Sequence, residues 1–223
     1  MVRRHFSAVS LLAVLVGSSW LTSTALAAAP LGSKLAPART VILVVGDSLS
    51  AEYGLKRGSG WVALLEQRLS AETIAATVIN ASISGDTTSG GRSRLNALLA
   101  QHHPTHVVIE LGGNDALRGL PLQMTQDNLT HMTRVAQQSG ARVLLVGMQV
   151  PPNYGQDYAA RFAQMFGQVA KNSQAALVPF FLKGIADTSN SPQWFQADRI
   201  HPKEEAHPLM LNNVWPELRK LLK

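Results

Sequence analysis

Val41-Ile42-Leu43-Val44-Val45-Gly46-Asp47-Ser48-Leu49-Ser50 decides the fold class, because five consecutive apolar residues run straight into a small, acidic, hydroxyl-bearing turn. A strand buried on both faces reads as such an unbroken run, and open α/β sheets bind ligands just outside the carboxyl ends of those strands. Gly46 permits a sharp turn there, which puts the Ser48 hydroxyl where a nucleophile would sit. Asp47 and Ser48 suit a helix N-cap equally well, so these ten residues alone leave both readings open.

Further along, Trp61 to Leu69 carries apolar residues at helical spacing and Thr77 to Asn80 reads as a second strand. Arg92 to Gln101 is again helical, and Pro104 ends it before a third strand, His106 to Leu111, which runs into Gly112-Gly113-Asn114-Asp115. A helix over Gln126 to Ser139, a strand over Arg142 to Met148, a helix over Tyr158 to Asn172 and a short strand at Ala176-Leu177-Val178 follow. Glu204 to Leu222 closes the chain as a helix interrupted or delayed near Pro208. Strict β-α-β-α alternation predicts a parallel sheet with helices on both faces, joined by right-handed crossovers.

At 223 residues, 46% hydrophobic and 15% charged, the chain has the composition of one globular domain. Residues 1–27 read differently. Arg3, Arg4 and His5 precede the apolar run Val9 to Val16, and Ala25-Leu26-Ala27 is a small-x-small cleavage site, so this segment is expected to be a secretory signal peptide. Gly17, Ser18, Ser19, Thr22, Ser23 and Thr24 break any run of about 20 apolar residues, which argues against a membrane anchor. Residues 28–40, with Pro30, Gly32, Ser33 and Pro37, read as a flexible lead-in, and residues 41–223 as the folded domain. The expected location is the periplasm or beyond.

No cysteine is present, which excludes a disulfide framework and a thiolate nucleophile. The net charge of +6 falls to +4 once Arg3 and Arg4 leave with the leader, and the remaining basic residues are scattered rather than clustered with aromatics. No nucleic-acid partner is expected on that pattern. No spacing of His and carboxylates suggests a metal site. Ser89-Gly90-Gly91-Arg92 lacks both the P-loop and the dinucleotide pattern and reads as a helix start.

Four short polar segments follow strand ends or precede the last helix: Gly46-Asp47-Ser48-Leu49, Ser84-Gly85-Asp86, Gly112-Gly113-Asn114-Asp115 and Asp198-Arg199-Ile200-His201-Pro202. Acyl transfer by serine needs a hydroxyl, a base, a carboxylate that orients the base, and donors aimed at the developing oxyanion. All four ingredients stand on loops. Each also has a plain structural use: Gly85 as a turn residue, Asn114 with Asp115 as a helix cap.

This set, in this order, resembles the SGNH, or GDSL, hydrolase family, whose name lists the residues carried here by Ser48, Gly85, Asn114 and His201. The resemblance spans nearly all of the chain after the leader. The stretches 80–87 (NASISGDT), 110–115 (ELGGND) and 151–155 (PPNYG) bring it nearest to the branch with multifunctional bacterial thioesterases, which also act as proteases and lysophospholipases, and to arylesterases. It implies a three-layer α/β/α, flavodoxin-like parallel sheet. It also implies Ser48 as nucleophile, His201 as general base and then acid, Asp198 as the orienting carboxylate, and an oxyanion hole made by the N–H of Ser48, the N–H of Gly85 and the amide of Asn114. No cofactor is implied. The substrates expected are small acyl thioesters, aryl esters and lysophospholipids, with Leu111, Leu117, Leu120, Pro121, Pro151, Tyr154 and Ile200 as walls for the acyl chain, and a monomer is expected.

Asp47, Asp86 and Asp115 are read as loop-shaping carboxylates. His207 is an alternative base, but no carboxylate stands from it as Asp198 stands from His201; Glu204, three residues before it, is expected on a solvent face. His102, His103, His106 and His131 are expected on surfaces or helix ends. A carbohydrate deacetylase or acyltransferase would use the same four groups, although aromatics at 6% do not favour a sugar-stacking groove. A non-catalytic binding module on this fold would be expected to lack a member of the set, and none is missing.

Overall fold

The computed structural model describes residues 39–223. The expected leader, residues 1–27, and all but the end of the lead-in lie outside the described residues. Strand β1 spans Thr40–Gly46, one residue earlier than the sequence reading, and Ile42 to Val45 are fully buried. Helix α1 (Trp61–Ala71), β2 (Ala76–Asn80), α2 (Thr88–His102), β3 (His106–Glu110) and the short α3 (Gly113–Leu117) follow. Then come α4 (Leu122–Gln138), β4 (Arg142–Val146), α5 (Gln156–Ser173), β5 (Ala176–Val178) and α6 (His207–Leu221).

All strand pairs are parallel, in the order β2-β1-β3-β4-β5. This is the flavodoxin-like order, in which the chain reverses its direction of growth between β1 and β3 and leaves a crevice beyond their carboxyl ends. Helices α1 and α6 pack together on one side, while α2, α4 and α5 pack in succession on the other, which completes the three layers. The apolar runs in β1, β3 and β4 are therefore covered on both faces, as their unbroken composition requires.

The structure departs from the sequence reading at the start of α2 and at His106. Helix α2 begins at Thr88 rather than Arg92: Thr87 caps it by accepting from the Gly90 N–H, and Asp115 accepts from the Thr88 N–H at 2.9 Å. The glycines inside its first turn are used for close packing, since a Cβ on Gly91 would collide with Leu111. His106 is buried in β3 rather than on a surface, its Nε2 within 2.9 Å of the Leu221 carbonyl at the end of α6, and burial lowers its pKa from the ordinary value. The closing helix is delayed near Pro208 as the sequence reading has it: it starts at His207, after a 3₁₀ turn over Glu204–Ala206, with Pro208 in its first turn where the missing N–H costs nothing.

Candidate active site

Asp47 and Ser48 leave the carboxyl end of β1 at the switch point. The chain turns there because Gly46 has no side chain: a Cβ would lie 2.7 Å from Ser50 Oγ and 2.9 Å from Glu110 Oε2. The turn is braced from every side. Leu49 N–H donates to Asp47 Oδ1 at 3.0 Å, Ser50 N–H to the Asp47 carbonyl, and Asn80 Nδ2 to the Ser50 carbonyl at 2.8 Å.

His201 arrives from the opposite direction. Phe195 and Pro202 form an antiparallel bridge, and Gln196 N–H donates to the His201 carbonyl at 2.8 Å, so residues 195–202 make a tight loop. Within it, Asp198 Oδ1 accepts from the N–H groups of Ile200 and His201, and Arg199 takes a left-handed φ of 58°. That turn leaves Asp198 Oδ2 free for His201 Nδ1, at 2.6 Å, while His201 Nε2 lies 2.9 Å from Ser48 Oγ. Ser48, His201 and Asp198 thus stand in hydrogen-bonded series. Burial pushes the Asp198 pKa up, but the hydrogen bonds from His201 and Ile200 and the His201 charge outweigh it and bring the group down to about 2. The carboxylate stays charged and fixes the imidazole tautomer with its free Nε2 toward the serine.

Gly85 sits at φ 79° in the turn closed by Asp86 N–H to the Ile83 carbonyl, and Ile83 N–H donates to the Gly46 carbonyl, which holds this turn against the one that carries Ser48. Among the described residues, the N–H groups of Ser48 and Gly85 donate to no protein acceptor. Asn114 lies inside α3, behind Gly112 at φ 120°, and its Nδ2 donates to Asp47 Oδ2 at 3.0 Å. An amide nitrogen carries two hydrogens, so the second remains available to substrate. Its neighbour Asp115 faces away, accepting from Thr88 and from Thr125 Oγ1.

His207 is occupied elsewhere. Its Nδ1 accepts from the Trp61 N–H at 3.0 Å and its ring also bonds the Pro202 backbone, while burial depresses its pKa to about 4. It is a neutral brace between α1 and the 195–202 loop, and Glu204 is exposed.

The expected acyl-chain walls divide. Leu117, Tyr154 and Ile200 are exposed large apolar side chains, together with Tyr53 and Ile83, and all five stand on segments that leave the carboxyl end of the sheet or carry His201. Leu120 and Pro121 line a cavity of about 500 Å³ against Tyr158 and Met165 of α5, and Pro151 is exposed after β4. Leu111 is corrected: it is 1% exposed and packs into the core beside Gly91, because a residue at the end of a doubly covered strand has no free side.

Sequence reasoning missed three participants. Tyr53 lies against His201 with ring centroids 4.2 Å apart and planes tilted by 36°, and Gln196 ties the Tyr53 carbonyl to the His201 loop. Arg118 Nη2 donates to the Gly85 carbonyl at 2.7 Å. Glu110 is buried directly beneath the turn. Its place directly after the apolar run Val107 to Ile109 was the one sequence signal available.

Residues 44–209 match the GDSL-like lipase/acylhydrolase family. The esterase TesA of Pseudomonas aeruginosa is 52% identical over 185 residues, covering 83% of this chain and 90% of that protein. The thioesterase 1/protease 1/lysophospholipase L1 of Escherichia coli K12 is 39% identical over 187 residues, 84% of this chain and 87% of the other. A crystal structure of TesA superposes with a TM-score of 0.78 at 52% identity, covering 82% of this chain and 99% of that one. Likeness of this extent in both sequence and fold settles the assignment: the chain belongs to the GDSL-like lipase/acylhydrolase family.

Proposed function

We propose that this acyl hydrolase cleaves carboxylic esters and thioesters through an acyl-Ser48 intermediate. The observation that carries the reading is the hydrogen-bonded series Asp198–His201–Ser48, at 2.6 and 2.9 Å. As Ser48 Oγ attacks the carbonyl carbon, His201 Nε2 takes its proton, and the oxyanion forms toward the N–H groups of Ser48 and Gly85 and the free amide hydrogen of Asn114. The leaving alcohol or thiol departs with the proton from His201. Water then attacks the acyl carbonyl, gives its proton to His201, and the acid leaves as Ser48 regains that proton. The exposed apolar rim of Tyr53, Ile83, Leu117, Tyr154 and Ile200 supports substrates whose acyl chain lies against it, including lysophospholipids.

Labelling with a fluorophosphonate followed by peptide mass spectrometry tests the assignment. The label is expected on Ser48, and Ser48→Ala abolishes both label and turnover; a label on another serine overturns it.

Export belongs to the same proposal. The basic start, short apolar run and Ala25-Leu26-Ala27 support removal of the leader and action in the periplasm or outside the cell. Among the described residues no helix is long and apolar enough to cross a membrane. Intact-mass measurement of protein recovered from its native host is expected to show Ala28 as the first residue, and a full-length chain in the cytoplasm would refute it.

A further inference from the structure

Beneath the nucleophile turn lie two buried carboxyls that the hydrolytic scheme does not use. Glu110, at the end of β3, is 2% exposed, and Asp47 is 3% exposed. They are neighbours across the β1–β3 pair: Gly46 is registered with Glu110, and the Asp47 N–H lies 3.4 Å from Glu110 Oε2. Among the described residues no Lys or Arg pairs with either. Two adjacent buried carboxylates without a cation do not both ionise, because each charge is desolvated and repels the other.

The pair is built into a continuous chain. Trp61 Nε1 donates to Ser50 Oγ at 3.0 Å, and Ser50 donates to Glu110 Oε2 at 2.7 Å. Glu110 meets Asp47, and Asp47 accepts from Leu49 N–H on one oxygen and from Asn114 Nδ2 on the other, each at 3.0 Å. The Ser50 and Asp47 N–H bonds both fall on Oε2 as an acceptor, which leaves the other oxygen of Glu110 as the one to hold a proton. We propose that Asp47 and Glu110 share one proton, and that Glu110, donating it to Asp47, is a positioning residue for the oxyanion hole: the single charge on Asp47 fixes the amide of Asn114 so that its second hydrogen faces the substrate carbonyl. The inference rests on the assignment of Asn114 as an oxyanion donor.

Burial and the Asp47 charge raise the Glu110 pKa well above its ordinary value, which agrees with the acid form. Asp47 is raised to about 6, chiefly by burial, with Leu49, Asn114 and the His201 charge opposing and the Asp86 charge adding. The ionised member of the pair is therefore the one that touches Asn114. Gly46 serves the same arrangement, since a Cβ there would fall on the Ser50–Glu110 bond.

Three variants test this. Glutamine reproduces a neutral acid, with a carbonyl for Ser50 and an N–H for Asp47, so Glu110→Gln is expected to keep kcat within about threefold of the parent. Glu110→Leu, similar in bulk but without either hydrogen bond, is expected to lower kcat about 10- to 100-fold with KM little changed, as misplacement of a transition-state donor does. If the effect travels through Asp47, the Leu penalty must largely vanish in an Asp47→Asn background. Additive losses, or a Gln variant as impaired as the Leu variant, overturn the proposal. Should the Leu variant not fold, infrared difference spectra of parent against Glu110→Gln decide: a protonated-carboxyl C=O band at neutral pH, lost in the variant, is expected, and its absence refutes the shared proton. Fluorophosphonate labelling of Ser48 in the parent separates the two levels, because failure there removes the catalytic assignment whatever Glu110 does.

Discussion

At the level of single residues, roles here follow from how many partners a group can take. Asn114 was open to a capping role in the sequence, yet α3 begins behind Gly112 with no side-chain cap, and one amide hydrogen already goes to Asp47. Asn114→Ala is therefore expected to lower kcat by roughly 10²–10³-fold with KM nearly unchanged, because that bond strengthens as charge develops on the carbonyl oxygen. Steady-state kinetics beside a melting curve check it; a destabilised variant with full turnover per folded molecule would return Asn114 to a structural part. Ser48, Asp198 and His201 were legible because their chemistry must stand on loops. Glu110 and Leu111 were not, since the partners that define them, Ser50 with Asp47 and Gly91, are distant in sequence and meet only when β1, β3 and α2 are packed.

At the level of elements, each proposed catalytic group stands at the end of something rigid. The β strands were legible from their apolar runs, and all five lie where periodicity put them to within two residues. The start of α2 and the whole of α3 were not, because glycine-rich sequence forms helix there only through Thr87, Asp115 and close packing. The turn after β2 is the most exacting of these ends. At φ 79° a side chain on residue 85 costs about 1–2 kcal/mol of backbone strain. A Cβ there would still be 3.7 Å from its nearest neighbour, Arg118 Nη2, so no clash adds to it. Gly85→Ala is expected to lower Tm by roughly 2–8 °C. The turn relieves that strain by rotating the peptide whose N–H is proposed to face the oxyanion, so kcat is expected to fall as well, by about 10²-fold. Calorimetry paired with kinetics measures both; loss of stability without loss of kcat would remove the Gly85 N–H from the hole.

At the level of the whole molecule, buried titratable groups set how stability depends on pH, and here two oppose each other. His207 binds its proton less tightly folded, at about 4, than at its ordinary 6.5, so the stability it contributes is complete above 6.5 and is lost as the pH falls through 4. Asp47 is the reverse. Raised from 3.8 to about 6, its contribution is complete below 3.8 and is lost as the pH rises through 6. Between about pH 4 and 6 the His207 and Asp47 slopes offset each other. Asp198, lowered to about 2 and partly exposed, acts only on the acid side of that window. Glu110, raised well above its ordinary 4.5, adds a loss that begins inside the window and continues to its alkaline side, so the parent's Tm is expected to fall gently as the pH rises. His207→Asn keeps an acceptor for the Trp61 N–H but removes the titration, so it uncovers the Asp47 slope: its Tm is expected to fall steadily as the pH rises from 4 to 6. Scanning calorimetry of parent and variant across that window measures the difference between them. A variant whose Tm stays level or climbs there would show that neither Asp47 nor Glu110 is held protonated by its burial, and the shared proton would fail with it.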